Sequence, residues 1–350
     1  MTILVILLLL LLLLMASIPV AIAILVLGLL VGFIFSSFPL HRVMGEIFWS
    51  ASTDFLLLAI PLFVLLGEVL LRAGIAKRTY SALDKWLSWL PGGLMHANIG
   101  TAAMFAATSG SSVATAATIS TVALPQARRY GYREGFFAGT IAAGGTLGIL
   151  IPPSINLIVY GFLTNTSIPQ LFMAGIVPGV LLAIVFMLVI LAICLVKPGM
   201  GGGQRSATWQ ERFASLKDLL PVLFIFAVVI GSIYAGWATP TESAALGVIA
   251  SVVLALRYKA VNGGFIKEVM EGTMRTTAMI MLILISANYL NFVLDAVGIN
   301  VDENPVTPHN LLEDNLFLSG FQCKSADIPS PQKITIIEPL AVRRLVIEPP

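Results

Sequence analysis

The 350-residue sequence predicts an all-α polytopic membrane protein. It predicts an inverted repeat holding a re-entrant hairpin and a Gly/Pro-broken helix, with the second repeat incomplete. Three observations predict this. The chain is 58% hydrophobic and 11% charged, with a mean hydropathy of +0.96, whereas soluble domains carry roughly 25% charged residues. Its apolar residues gather into runs near the roughly 20 residues that a membrane-crossing helix needs. Of its 20 Lys and Arg residues, 15 fall into four clusters between residues 72 and 275, and the connections 164–170 and 236–240 hold none.

The apolar runs are 2–16, 19–37, 54–71, 136–163, 171–196, 218–235, 241–257 and 276–297. The first, within MTILVILLLLLLLLMASIPVAIA, imitates a signal peptide. It lacks a basic n-region, however, and the apolar pattern continues past it, so it reads as a membrane helix. Trp49, Trp86, Trp89 and Trp237 suit belt positions, and Arg42, Asp54, Asp84 and Lys85 suit the interface.

Charge orients these runs. The clusters are Arg72, Lys77, Arg78 and Lys85; Arg128, Arg129 and Arg133; Lys197, Arg205, Arg212 and Lys217; and Arg257, Lys259, Lys267 and Arg275. The connections 164–170 and 236–240 hold none. All four clusters belong on the cytoplasmic side, which requires the stretch 96–125 to enter and leave on one side. A full span there would invert every later loop. This stretch, rich in Ala, Ser, Thr and Gly, is therefore predicted to be a re-entrant hairpin.

Two pairs of segments resemble each other. SIPVAIAILVLGLLVGFIF (17–35) pairs with ATPTESAALGVIASVVLAL (238–256), and LGEVLLRAGI (66–75) with LNFVLDAVGI (290–299). With the basic clusters inside, the run 56–71 points inward and 278–294 outward. The repeats are thus inverted, as in many secondary transporters, whose sites lie near the midplane where broken helices line a cavity.

Two segments suit such a site. At the hairpin centre, Ser109, Gly110, Ser111 and Ser112 make a poor helix, because Gly frees the backbone and Ser competes for its hydrogen bonds. A turn there points carbonyls and hydroxyls at a cation, or helix N-terminal amides at an anion. The alternative is close helix packing by small residues, the role assigned to Thr101, Thr115 and Thr118. The second segment contains Gly144, Gly145, Thr146 and Gly148, followed by Pro152, Pro153 and Ser154. It is expected not to form one continuous helix, since the prolines leave carbonyls near Gly148 and Ile149 without donors. Free carbonyls with the Thr146 and Ser154 hydroxyls suit Na⁺, and Ser109, Gly145, Thr146 and Gly148 are the Na⁺ candidates. A simple kink is the alternative.

Other chemistry is sparse. Glu68, Glu242 and Asp295 are the acids within or at the ends of apolar runs, although Glu242 follows Thr239 and Pro240 as a helix cap would. His41, His96 and His309 never reach metal-ligand spacing, and no disulfide is proposed between Cys194 and Cys323. A net charge of +2 without a basic tract gives no reason to expect nucleic acid. A serine protease using Ser111 or Ser112 would need a general base, and the nearest histidine, His96, lies at the hairpin's edge. No catalytic residue is predicted.

TSGSSVATAATISTVALPQARRYGY, GGTLGILIPPS, FLLLAIPLFVLLGEVLLRAGI and GWATPTESAALGVIAS resemble the large membrane subunit of tripartite ATP-independent periplasmic (TRAP) transporters, the DctM-like permeases. The resemblance covers about residues 1–299. It implies Na⁺-coupled uptake of organic anions, of the C4-dicarboxylate or sugar-acid class, across the bacterial inner membrane. It also implies two partners, a small membrane subunit and a periplasmic substrate-binding protein. The 109–112 tip and the 144–153 break would then form half of the ion and substrate site. The first repeat is placed at about 1–196, the partial second at about 218–299, and a polar, disordered tail at 301–350. That tail, which holds 7 of the 19 prolines, does not resemble the family. The repeat offset puts the counterpart of Gly144 beyond residue 350, as a frameshift, fusion or gene-prediction error would. The chain alone is accordingly expected not to transport, the alternative being a scaffold that only binds partner subunits.

Overall fold

A helix rises about 1.5 Å per residue, so the predicted runs translate directly into rods of membrane-crossing length. The computed structural model describes residues 2–36, 38–109, 112–164, 166–203 and 207–298. Among these residues it is built from α-helices and short 3₁₀ turns. The helices are α1 (Thr2–Met15), α2 (Val20–Phe35), α3 (Met44–Ser52), α4 (Ala59–Arg72), α5 (Ile75–Leu87), α6 (Leu94–Ser109) and α7 (Ser112–Arg129). They continue as α8 (Glu134–Leu150), α9 (Ile155–Leu163), α10 (Ile168–Val196), α11 (Trp209–Tyr234), α12 (Pro240–Arg257) and α13 (Gly263–Ala296).

Each predicted apolar run is a helix, and 136–163 is α8 and α9 joined at a 41° bend. Helices α1 and α2 are the shorter apolar ones. Helices α3 and α5 are too short or too polar to register as spans. The tail at 301–350 lies outside the described residues.

The inverted repeat is visible in which helices touch. Helix α2 packs on α13, with Gly28 against Tyr289 and Gly32 against Val293, so the two run parallel. A Cβ on Gly28 would meet the Tyr289 ring at 3.0 Å. Exchanging each helix for its repeat partner turns this pair into α12 on α4. Those two also touch through a glycine, Gly247, whose Cβ would stand 3.1 Å from Leu66. They too run parallel: Pro240 opens α12 beside Asp54 and Leu56 just before α4, and Tyr258 after α12 lies 4.5 Å under the Arg78 guanidinium just after α4.

Basic residues mark one end of the bundle. There Arg72 joins α4 to α13 through Glu268, at 2.6 Å, and Arg78 joins α5 to Asp218 on α11, at 3.8 Å. The hairpin opens and closes at this end. The Leu94 amide, first in α6, donates to the Tyr132 hydroxyl just beyond α7 at 3.1 Å, and Gly203 N after α10 donates to Tyr130 O. Helices α6 and α7 therefore leave and return on the basic side, as the charge distribution required.

Glu242 serves the capping role. Its carboxylate accepts from Thr239 N, while the Thr239 hydroxyl accepts from Glu242 N. Losing such a cap costs about 1 kcal/mol. Thr239→Ala should therefore lower the melting temperature of the purified protein by a few degrees, and an unchanged value would show the cap to be dispensable.

Candidate ion and substrate site

The second hairpin arm and α8 enclose an open groove of about 510 Å³. Its walls include Ser112, Ala116 and Ser120 of α7 and Ala142, Gly145 and Thr146 of α8. Residues from both predicted segments thus share one cavity. The exposed positions flanking it are mostly small, including Ala117, Thr121, Ala138, Gly139, Ala142 and Thr146, with Pro125 and Ile149 at its ends. By contrast, α10 and α11 expose Val177, Leu181, Leu188, Leu220 and Phe224. Bulky aliphatic faces suit hydrocarbon, whereas a face of Gly, Ala and Thr suits water or another protein surface.

The groove's hydroxyls are oriented. Thr146 Oγ1 donates to Ala143 O at 2.7 Å, and Ser120 Oγ to Ala117 O at 2.6 Å. With their hydrogens turned into their own helices, these oxygens keep lone pairs for the groove. The rest of the wall is apolar, with Ala117, Leu124, Ala138 and Ile141 beside these hydroxyls, and among the described residues no three His, Cys, Asp or Glu side chains come together.

The glycines play a different part from the one expected. Gly144, Gly145 and Gly148 lie inside the continuous helix α8, and the chain breaks only at Ile151–Ser154. Their contribution is close approach. A Cβ on Gly144 would stand 2.9 Å from Ala102 Cβ on α6. One on Gly145 would stand 3.0 Å from Ala116 Cβ and 3.1 Å from Ser112 O on α7. Adjacent residues on a helix point about 100° apart, so the two glycines let α8 wedge between both arms. Buried Asn98 on α6 reinforces the wedge, its Nδ2 donating to Thr140 Oγ1 on α8 at 2.9 Å.

The break also departs from expectation. The Ile149 carbonyl, read as unpartnered, accepts from Ser154 Oγ at 2.7 Å. Pro152, Pro153 and Ser154 are buried, and the Pro152–Pro153 bond is cis. The kink rests on α10: a Cβ on Gly175 would lie 2.6 Å from Leu150 O, and one on Gly179 2.8 Å from Ile151 Cγ1. The structure therefore separates the predicted residues. Ser112, Gly145 and Thr146 face the groove, while Gly144, Gly148, Pro152, Pro153 and Ser154 are buried in the scaffold behind it. Gly110 and Ser111 lie outside the described residues, as does the Ser109 side chain.

The remaining ionisable residues sit elsewhere. Glu68 packs its carboxylate against Gly272 on α13 and pairs with Arg72 at 3.4 Å. Asp295 is exposed at the end of α13. His96 is 1% exposed, with Nε2 2.9 Å from Pro91 O at the hairpin base. From there to the end of α6 is about 20 Å at 1.5 Å per residue, too far for it to activate Ser112. Sequence reading missed Asn98 and the Gly175/Gly179 seat. A lone amide in an apolar hairpin and a G-x-x-x-G spacing were the available signals.

The chain matches the family model "Tripartite ATP-independent periplasmic transporter, DctM component" over residues 5–302. It is 36% identical over 270 residues to the C4-dicarboxylate TRAP transporter large permease protein DctM of Pseudomonas aeruginosa, covering 76% of this chain and 62% of the relative. The sialic acid TRAP transporter large permease protein SiaM of Vibrio cholerae is 33% identical, with coverage of 74% and 59%. The 2,3-diketo-L-gulonate TRAP transporter large permease protein YiaN of Escherichia coli is also 33% identical, with coverage of 78% and 63%. The chain thus spans about three-fifths of the length of these curated relatives.

Proposed function

Because the chain belongs to the DctM-component family of tripartite ATP-independent periplasmic transporters, a family of permeases rather than enzymes, we propose that it contributes half of a Na⁺ and organic-anion site in an uptake system. The observation that carries this reading is the α7–α8 groove, which brings the Ser112, Ser120 and Thr146 hydroxyl residues of the two helices to one cavity. Na⁺ entering the groove exchanges water for the Thr146 and Ser120 oxygens and the backbone near Ser112. Its positive charge then favours a carboxylate beside it, so each ligand raises the affinity for the other, which is the reciprocity that coupled transport needs.

The substrate class is an organic anion, C4-dicarboxylate or sugar acid, on the strength of the relatives' names. The proposed partners are a small membrane subunit and a periplasmic substrate-binding protein, and the proposed location is the bacterial inner membrane. A ligand that binds only the folded state raises its stability by mass action. NaCl should therefore raise the melting temperature of the detergent-solubilised chain by several degrees over equimolar choline chloride. Thr146→Val, which keeps the shape and removes the oxygen, should lose most of that gain. An equal response to choline, or a full response in the variant, would refute the site. Copurification of partner subunits without any Na⁺ response would favour the scaffold alternative.

A further inference from the structure

At the basic end, the last turn of α5 meets the first turn of α11. Trp86 Nε1 donates to Arg212 O at 3.1 Å, and the Trp86 ring meets Phe213 edge-on with centroids 6.0 Å apart. Trp209 lies against the other side of Phe213, and the Arg212 guanidinium stacks 4.9 Å above the Trp209 ring. These rings do not form a sealed core: Trp209 is 65% and Phe213 59% exposed. Arg212 Nε is buried and has no acceptor. Lys85, one residue before Trp86, lies within electrostatic reach of this turn. The nearby Glu211 carboxylate accepts from the Thr208 amide at 2.9 Å, which turns it toward the cap while it keeps its charge. Arg212 therefore stands over an exposed aromatic surface with a hydrogen-bond donor unmatched, and Lys85 adds positive charge beside it.

Below them the same face of α11 continues as Leu216, Leu220, Leu223 and Phe224, all exposed except where it meets neighbouring helices. The spacing from Trp209 and Phe213 keeps these residues on one helix face. An apolar stripe that ends at indole level and is crowned by Lys and Arg has the dimensions and chemistry of one phospholipid. The acyl chain follows the stripe, the indole sits at headgroup depth, and the phosphate meets the cations. We propose that the α5–α11 junction is a binding site for an anionic phospholipid of the leaflet on the basic side. The site is separate from the α7–α8 groove, and the proposal does not depend on what the groove transports. A soluble phosphate would share the headgroup chemistry, but it would gain nothing from the stripe.

The test uses the intact chain in detergent with phosphatidylglycerol, phosphatidylcholine or inorganic phosphate added, and counts retained lipid by native mass spectrometry. Phosphatidylglycerol should be retained about fivefold to thirtyfold better than phosphatidylcholine, the range that one to two interfacial cations give at about 1 kcal/mol each. In Lys85→Gln/Arg212→Gln that preference should fall to within about twofold. Trp209→Ala, which keeps the charges, should weaken both lipids alike. Melting temperature and gel-filtration profile establish that each variant is folded. An absent preference in the parent chain, or one that survives the double substitution in folded protein, overturns the proposal. Displacement of phosphatidylglycerol by equimolar inorganic phosphate would also overturn it, because the stripe would then contribute nothing.

Discussion

Gly175→Val is expected to eliminate folded, monodisperse protein after detergent extraction. The first added carbon would already stand 2.6 Å from Leu150 O, well inside van der Waals contact, and valine adds two more. That oxygen belongs to the backbone in the last turn of α8. The turn is fixed on one side by the Ile151 N to Leu147 O hydrogen bond, at 2.9 Å, and on the other by two buried prolines. Overpacking usually costs about 1–3 kcal/mol when side chains can yield. Here the obstacle cannot rotate away, so the cost should reach or exceed the top of that range, against total stabilities of about 5–15 kcal/mol. Gly179→Ala meets a side-chain atom, Ile151 Cγ1, at 2.8 Å, and should cost visibly less. Gly139→Ala has nothing within 4 Å and should be neutral or slightly stabilising, since alanine favours helix. Equal melting temperatures for the parent chain and Gly175→Val would show that α10 does not seat the break.

Gly145→Val should separate stability from ion response. Its Cβ would press on Ala116 Cβ at 3.0 Å and Ser112 O at 3.1 Å. The second hairpin arm must then move away from α8 by several tenths of an ångström for alanine and by more for valine. The arm can shift more easily than the α10 seat, because α7 carries exposed positions such as Ala117 and Thr121 and is not packed on every side. A loss of about 2 kcal/mol is expected, together with loss of the Na⁺-dependent rise in melting temperature, since the Ser112 and Thr146 walls would no longer share one cavity. Retention of the full Na⁺ response in a destabilised Gly145→Val protein would move the ion elsewhere.

Much of this architecture was legible in the sequence, for reasons that particular residues make plain. Span positions follow from apolar length alone. The hairpin's return to its own side follows from where Arg128, Arg129 and Arg133 sit relative to the charge-free 164–170 connection. The capping role of Glu242 was readable because its partner, Thr239, is three residues away. The packing role of the glycines was not legible, because Gly in a membrane helix has two uses, loosening the backbone and admitting a neighbour, and the neighbours decide between them. Ala102, Ser112 and Ala116 are remote in sequence from Gly144 and Gly145, so nothing local revealed the contact. The Ser154 hydroxyl was expected to face an ion, but the carbonyl freed by the prolines lies within its reach. Short-range hydrogen bonding usually claims such groups first.

The exchange of partners between the repeats bears on how the protein is made. Gly28 and Gly32 of α2 are complementary to Tyr289 and Val293, and Leu66 of α4 to Gly247, so each early helix is shaped for a late one. During synthesis α2 and α4 must wait in the lipid with their contact faces bare until α12 and α13 have been inserted. Contacts so distant along the chain form slowly. The faces of α2 and α4 that meet α13 and α12 therefore stay open to lipid while the intervening helices are inserted, even as α4 packs on α6 and α2 on α1.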